Sequence, residues 1–200
     1  MDDKKRKIIN LILVIIAGVS SLFAYGISII IAISYLFIER KRSNNEAKTT
    51  FIADLKKYWW LVLLPVLSGV LTVFISRIIL PEFYLHVLER VKPMLALDKM
   101  FLLILELLLL SLLEEIVYRR FLQNEISKMT NPIWGIFIAS VLFAVGHYSA
   151  GAIFIVLYDL TTIFIDSVIF GMIYEKTKNV YICWISHFIA NFVGMLILLL

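Results

Sequence analysis

Long apolar runs separated by short polar stretches dominate the chain. The runs fall at about residues 8–38, 58–80, 99–113, 133–147, 151–173 and 180–200. A helix needs roughly 20 residues to cross about 30 Å of hydrocarbon. The third and fourth runs are shorter, and we expect each to continue as a helix through the polar residues at its end. The pattern therefore predicts an all-α, polytopic transmembrane helical bundle with six or seven spans.

The first run leaves the number of spans open. Basic residues lie on both sides of it, at Lys4–Lys7 and Arg40–Arg42. Cationic loops usually stay in the cytoplasm, yet a single crossing would put these two groups on opposite sides of the membrane. The run is short for two full spans, although Gly18, Ser20 and Ser21 could form a tight turn near its middle. Both one and two crossings therefore remain open.

Composition agrees with an integral membrane protein. The chain is 62% hydrophobic, with a mean hydropathy of +0.94 and a net charge of +4. The basic residues flank apolar runs, where they attract anionic lipid, and no basic soluble domain is present to bind nucleic acid. The basic start leads into a run that is too long for a cleavable signal peptide, so we expect it to remain a membrane segment. Ile-rich spans with Asn- and Lys-containing loops indicate a bacterial plasma-membrane protein.

Polar side chains recur at helical spacing in or beside three of the apolar runs. They are Glu114, Glu115, Arg119, His147, His187 and Asn191. An ionisable group in hydrocarbon costs at least a few kcal/mol. Any one of these residues could simply bond to a neighbouring helix. Because complementary chemical groups recur on three separate segments, catalysis is the interpretation that we prefer.

The first cluster contains two carboxylates with different predicted partners. Neighbouring helix positions differ in direction by about 100°, whereas positions four apart share a face. Glu115 and Arg119 are therefore predicted to form an ion pair that holds the helix end. Glu114 then points elsewhere, which makes it the better candidate for a general base.

The other two clusters supply complementary groups. His147 follows Phe143 by four residues, and Asn191 follows His187 by four, so each pair shares a helix face. Imidazoles can orient a water molecule or donate a proton, and a carboxamide can donate to an oxyanion. Together with Glu114 these residues are predicted to line one polar cavity.

These residues form three ordered motifs that resemble those of the CPBP family, the CAAX proteases and bacteriocin-processing enzymes also called the Abi family. The segment 114–119 reads EEIVYR and resembles EExxxR, 143–147 reads FAVGH and resembles FxxxH, and 187–191 reads HFIAN and resembles HxxxN. The resemblance runs from about residue 99 to 198. We therefore expect N-terminal membrane segments and a basic loop in 1–98 and the catalytic helical core in 99–200.

The resemblance implies an intramembrane endopeptidase that cleaves a peptide or membrane-associated precursor. By motif, Glu114 and His147 would activate water. His187 and Asn191 would stabilise the oxyanion, and Glu115 and Arg119 would support the site. A departure is Arg120, where many members have glycine. In a bacterium, a leader peptide, bacteriocin or pheromone precursor is a more plausible substrate than a prenylated CAAX protein.

Two other classes of function stay open. One is a non-catalytic bacteriocin-immunity or regulatory membrane protein with the same fold, and the other is a small transporter that uses the buried acids as a proton relay. No motif residue is substituted, which favours the enzyme. The chain also lacks the repeated halves that are common in secondary transporters.

Metal dependence is also open, although the family is often labelled metalloprotease. Glu114, His147 and His187 are residue types that could bind zinc and leave a position for water, but their spacing lacks the HExxH pattern. A metal-free mechanism fits the same residues. We expect no tightly held metal, with zinc as the alternative cofactor.

Several further polar residues are given structural roles. Asp159 and Asp166 are seven apart and share a helix face; with Glu106 they could line the cavity or pair with Arg77, and we expect pairing rather than catalysis. His86 lies in an amphipathic segment that Pro81 and Pro93 bracket, without a polar partner in view, so we expect it to be incidental. The single cysteine, Cys183, is expected to pack as a small apolar residue.

Overall fold

The computed structural model of the chain describes residues 3–42, 51–92 and 100–198. Those ranges are helical apart from short turns, and no strand occurs within them, which confirms the predicted helical membrane bundle. The elements are α1 (Asp3–Phe23), α2 (Tyr25–Arg42), α3 (Phe51–Ile79), α4 (Pro81–Val91), α5 (Met100–Glu115), a π-helical segment (Ile116–Gln123), α6 (Asn124–Met129), α7 (Pro132–Gly146), α8 (Ile153–Thr177) and α9 (Val180–Leu198). Much of the basic loop, at 43–50, and Pro93 lie outside the described residues.

The first apolar run forms two helices, and the break lies at Ala24. A turn at Gly18, Ser20 and Ser21 was therefore the wrong position. The two serines lie within α1, where their hydroxyls donate to the backbone carbonyls of Ala17 and Gly18, one turn earlier.

Helices α1 and α2 pack as an antiparallel pair. Near the start of α1, the Asn10 side chain donates to the Tyr35 hydroxyl at 3.1 Å and to the Glu125 carboxylate at 3.0 Å. Tyr35 lies near the end of α2, so the beginning of one helix and the end of the other share one end of the bundle with α6. The run thus crosses the bundle twice.

Among the described residues, four helices are long and apolar enough to cross a membrane: α1, α3, α8 and α9. The helices α2 and α7 are shorter and apolar, and α5 is apolar along most of its length. Large apolar side chains face outward on these helices, with Phe154 on α8 82% exposed. The number of membrane crossings, six or seven, stays a prediction.

The helix that carries the first motif continues past the apolar run, as predicted, but it changes geometry. From Ile116 to Gln123 it is π-helical, with wider turns than an α-helix, and most of its side chains are buried. Such segments often occur at functional sites. The expectation for the fourth run was only partly met: α7 ends at Gly146, and His147 caps it.

Candidate active site

A cavity of about 380 Å³ lies between α3, α4, α5, α7, α8 and α9. Its wall includes Glu114 from the end of α5, His147 from the end of α7, and His187 with Asn191 from α9. Helical spacing predicted that these four side chains would meet in one cavity, and the structure brings them together.

The Glu114 carboxylate lies between the two imidazole rings. One of its oxygens is 3.6 Å from Nε2 of His147, and the other is 3.6 Å from Nε2 of His187. These distances exceed a normal hydrogen bond, so each gap needs a bridging atom or a small movement to become one. The Glu114 side chain is 18% exposed, which leaves it open to the cavity.

Each imidazole is oriented through its other nitrogen. His147 Nδ1 lies 2.8 Å from the backbone carbonyl of Phe143, which can only accept a hydrogen bond, so Nδ1 carries the hydrogen. In the neutral ring, His147 then directs an Nε2 lone pair towards Glu114. The Phe143 ring packs on the same imidazole, with 4.4 Å between the centroids.

His187 is held by Glu115. The Nδ1 atom of His187 is 2.8 Å from a Glu115 carboxylate oxygen, and the His187 side chain is only 4% exposed. The Phe170 ring stacks on the imidazole, with 4.5 Å between the centroids. This histidine is therefore fixed on one edge and one face, while its Nε2 atom points towards Glu114.

The predicted ion pair between Glu115 and Arg119 is present. Arg119 Nε lies 3.3 Å from the second Glu115 oxygen, and both side chains are fully buried. Arg119 also donates to the Ser167 hydroxyl of α8 at 2.7 Å. One carboxylate thus links a cation on its own helix to an imidazole on α9.

A second polar cluster lies in the cavity wall, at α4. The Arg90 guanidinium forms an ion pair with buried Asp159, and His86 Nε2 lies 3.5 Å from the same carboxylate and 2.9 Å from the Ser149 hydroxyl. The expectation that His86 lacks a polar partner was therefore wrong. Asp159 is paired, as expected, but its partner is Arg90 rather than Arg77. The spacing of His86 and Arg90, four apart on one helix, was the available signal.

Of the other two acids, Asp166 lies in the cavity wall and Glu106 does not. Asp166 lines the cavity, near Ser68 of α3. Glu106 is exposed on α5 and contributes nothing to the described cavity wall. Arg77 donates to the Tyr84 hydroxyl at 3.1 Å.

Two side chains near the site have packing roles. Cys183 is buried, with its thiol 3.6 Å from the Phe170 carbonyl oxygen, as expected of a small core residue. Arg120, which stands where many CPBP members have glycine, hydrogen-bonds to Tyr174 of α8.

The chemistry of Glu114, His147 and His187 suits zinc, but their arrangement does not form a ready zinc site. Within the described ranges, no group of three or more His, Cys, Asp or Glu side chains is placed to hold a metal ion. The expectation that no metal is tightly held, with zinc as the alternative, stays a prediction.

The motif-bearing part of the chain matches a known family. Residues 96–193 match the family described as type II CAAX prenyl endopeptidase Rce1-like, and this range contains all three motifs. No curated protein and no solved structure matches the chain.

Proposed function

We propose that the protein is an intramembrane endopeptidase that hydrolyses a peptide or a membrane-associated precursor, because its residues 96–193 match the Rce1-like family of type II CAAX prenyl endopeptidases. The observation that supports this proposal best is the Glu114 carboxylate between two oriented imidazoles in a cavity of the bundle.

Glu114 and His147 act on the water molecule. Both the carboxylate and the His147 Nε2 lone pair are hydrogen-bond acceptors, and they face each other at 3.6 Å. A water molecule beside them can donate one O–H to each and keep a lone pair for attack on a peptide carbonyl. Glu114 takes the proton as the carbon–oxygen bond forms, and it returns that proton to the leaving amine.

His187 and Asn191 act on the oxyanion. A protonated His187 donates from Nδ1 to Glu115 and turns its second N–H towards the cavity. The charges of Glu114, Glu115, Arg119 and protonated His187 then sum to zero, which suits a site that excludes most water. The Asn191 carboxamide adds a second donor from the next turn of α9.

The test uses purified protein in nanodiscs and a library of quenched-fluorescent peptides. Glu114→Gln should lower hydrolysis at least about a hundredfold, because a general base typically contributes that much, and should leave thermal stability near that of the parent. Glu106→Gln is the control, because it removes an exposed acid from the same helix. The Glu106→Gln variant should hydrolyse peptides at the parental rate. Full activity of Glu114→Gln would refute the proposed base. Peptide binding without hydrolysis by the parent protein would support the non-catalytic alternative.

A further inference from the structure

Contacts between helix ends define two ends of the bundle. The contacts of Asn10 place the start of α1, the end of α2 and α6 at one end. The end of α8 lies there too, because Gln123, which precedes α6, donates to the Gly171 carbonyl at 2.9 Å. The start of α7 and the turn from α8 to α9 follow along the chain. At the opposite end, the Tyr84 hydroxyl of α4 donates to the Leu198 carbonyl of α9 at 3.3 Å.

Lysine and arginine are concentrated at the first of these ends, which we call the basic end. Helix α3 leads directly into α4, so it starts at the basic end as well. The end at α4 has Arg77, Arg90 and Lys92 among the described residues, with Glu82 and Glu89 beside them. Lys and Arg near the ends of spans favour the cytoplasmic side, which assigns the basic end to the cytoplasm. The described Lys and Arg of the basic end are residues 4–7 and 40–42, Lys56, Lys57, Lys128, Lys176 and Lys178.

The cavity lies towards the α4 end. Along α9 its wall begins at His187, about 10 Å from the start of the helix, and continues to Leu198. Along α8 its wall runs from Asp159 to Phe170, which is again about 10 Å from the basic end of that helix. Helix α4 contributes to the wall at the far end. The cavity thus reaches α4 and stops well short of the basic end.

Buried side chains close the cavity on its basic side. Ile173, Tyr174, Ile182 and Cys183 belong to one buried cluster, and each is at most 2% exposed.

In the opposite direction the reacting groups become more exposed. The exposed fraction of the side chain rises from 4% at His187 to 18% at Glu114 and 34% at His147, which caps α7. The residue Ser149, just after that cap, contacts His86 of α4. The path from the reacting groups to solvent therefore leads towards α4.

We infer that the cavity opens on the extracytoplasmic side of the membrane, beside α4, and takes a peptide segment that is exposed on that side. The substrate must then be exported before it is cleaved, or be an anchored precursor whose cleaved segment lies outside the cytoplasm. The nature of the ligand rests on the proposed peptidase function, whereas the side of the opening rests on the charge distribution and the position of the cavity.

Cysteine accessibility locates the opening without requiring hydrolysis. Thr72 of α3 lines the cavity, and its neighbour Leu71 is 58% exposed on the outer surface of the bundle. In a Cys183→Ser background, Thr72→Cys should react with a small impermeant methanethiosulfonate in intact cells roughly tenfold faster than Leu71→Cys, because the thiolate is the reactive form and hydrocarbon disfavours it. Met195→Cys in the cavity and Leu196→Cys on the outer surface make the same comparison on α9.

Inverted vesicles supply the opposite orientation. Lys176→Cys marks the basic end and should react in inverted vesicles but not in intact cells. In sealed inverted vesicles, Thr72→Cys and Met195→Cys should stay unlabelled until detergent opens the membrane. Labelling of these two cavity positions only from the cytoplasmic side, from both sides or from neither side overturns the inference.

A hydrolysis measurement separates this inference from the proposed activity. Intact cells with the parent protein should cleave an added impermeant quenched peptide, cells with Glu114→Gln should not, and sealed inverted vesicles should cleave it only after detergent opens them. Outward labelling of the cavity without cleavage by cells or opened vesicles would contradict the peptidase and leave the inferred opening standing. Cleavage by sealed inverted vesicles that depends on Glu114 would do the reverse.

Discussion

Replacing Glu115 with glutamine removes the charge that holds two buried groups together. One oxygen of this carboxylate is 3.3 Å from Arg119 Nε, and the other is 2.8 Å from His187 Nδ1. Both members of the ion pair are fully buried, so water cannot take the place of the lost carboxylate. Glutamine keeps the shape but carries no charge and has one acceptor oxygen in place of two, so it cannot accept from both Arg119 and His187. The Arg119 guanidinium then has no counter-charge at this position, although its hydrogen bond to the Ser167 hydroxyl remains.

The expected loss of stability is large for an isosteric change. Leaving one charge of a buried pair without its partner costs about 3–5 kcal/mol. For a chain of this size, each kcal/mol lowers the melting temperature by roughly 2–4 °C, so Glu115→Gln should melt on the order of 10 °C below the parent. Glu106→Gln, which changes an exposed acid of the same helix, should melt within about 1 °C of the parent.

Thermal unfolding of the purified protein in one detergent provides the measurement. Glu115→Gln combined with Arg119→Met should recover part of the loss, since neither charge is then left alone, and the double-mutant cycle gives the coupling between the two residues. A Glu115→Gln variant that melts with the parent would show that the buried ion pair contributes little. A double variant that loses the sum of both single effects would show that the two residues are not coupled.

Further predictions concern metal content and topology. Active purified protein should contain less than one metal ion per chain by elemental analysis; one tightly bound zinc that is lost in His187→Ala would contradict this expectation. Cysteines introduced for Lys5 and Lys56, in a Cys183→Ser background, should both resist an impermeant thiol reagent in intact cells and react after lysis, because the α1–α2 pair returns the chain to its starting side. Labelling of one site from outside and protection of the other would indicate a single crossing by residues 8–38.

The sequence by itself determined the features that depend on helical periodicity and solvent preference. Apolar runs identified the bundle, because hydrocarbon excludes polar backbone and side chains from all but closed helical structure. The ion pair of Glu115 with Arg119 and the shared cavity of His187 with Asn191 followed from a spacing of four residues. Such contacts lie within one helix, so their geometry is nearly independent of the rest of the fold.

The tertiary structure decided the contacts between helices. Asp159 pairs with Arg90 rather than with Arg77, and His86 joins them, because the placement of α4 against α8 selects which cation reaches the carboxylate. The π-helical turn after Glu115 and the break at Ala24 also required the folded structure. An apolar sequence is compatible with many rotations of a helix about its axis and with many positions for its ends, at almost equal free energy. The choice among them depends on close packing and on the pairing of each buried polar group, which involve residues far apart in the chain.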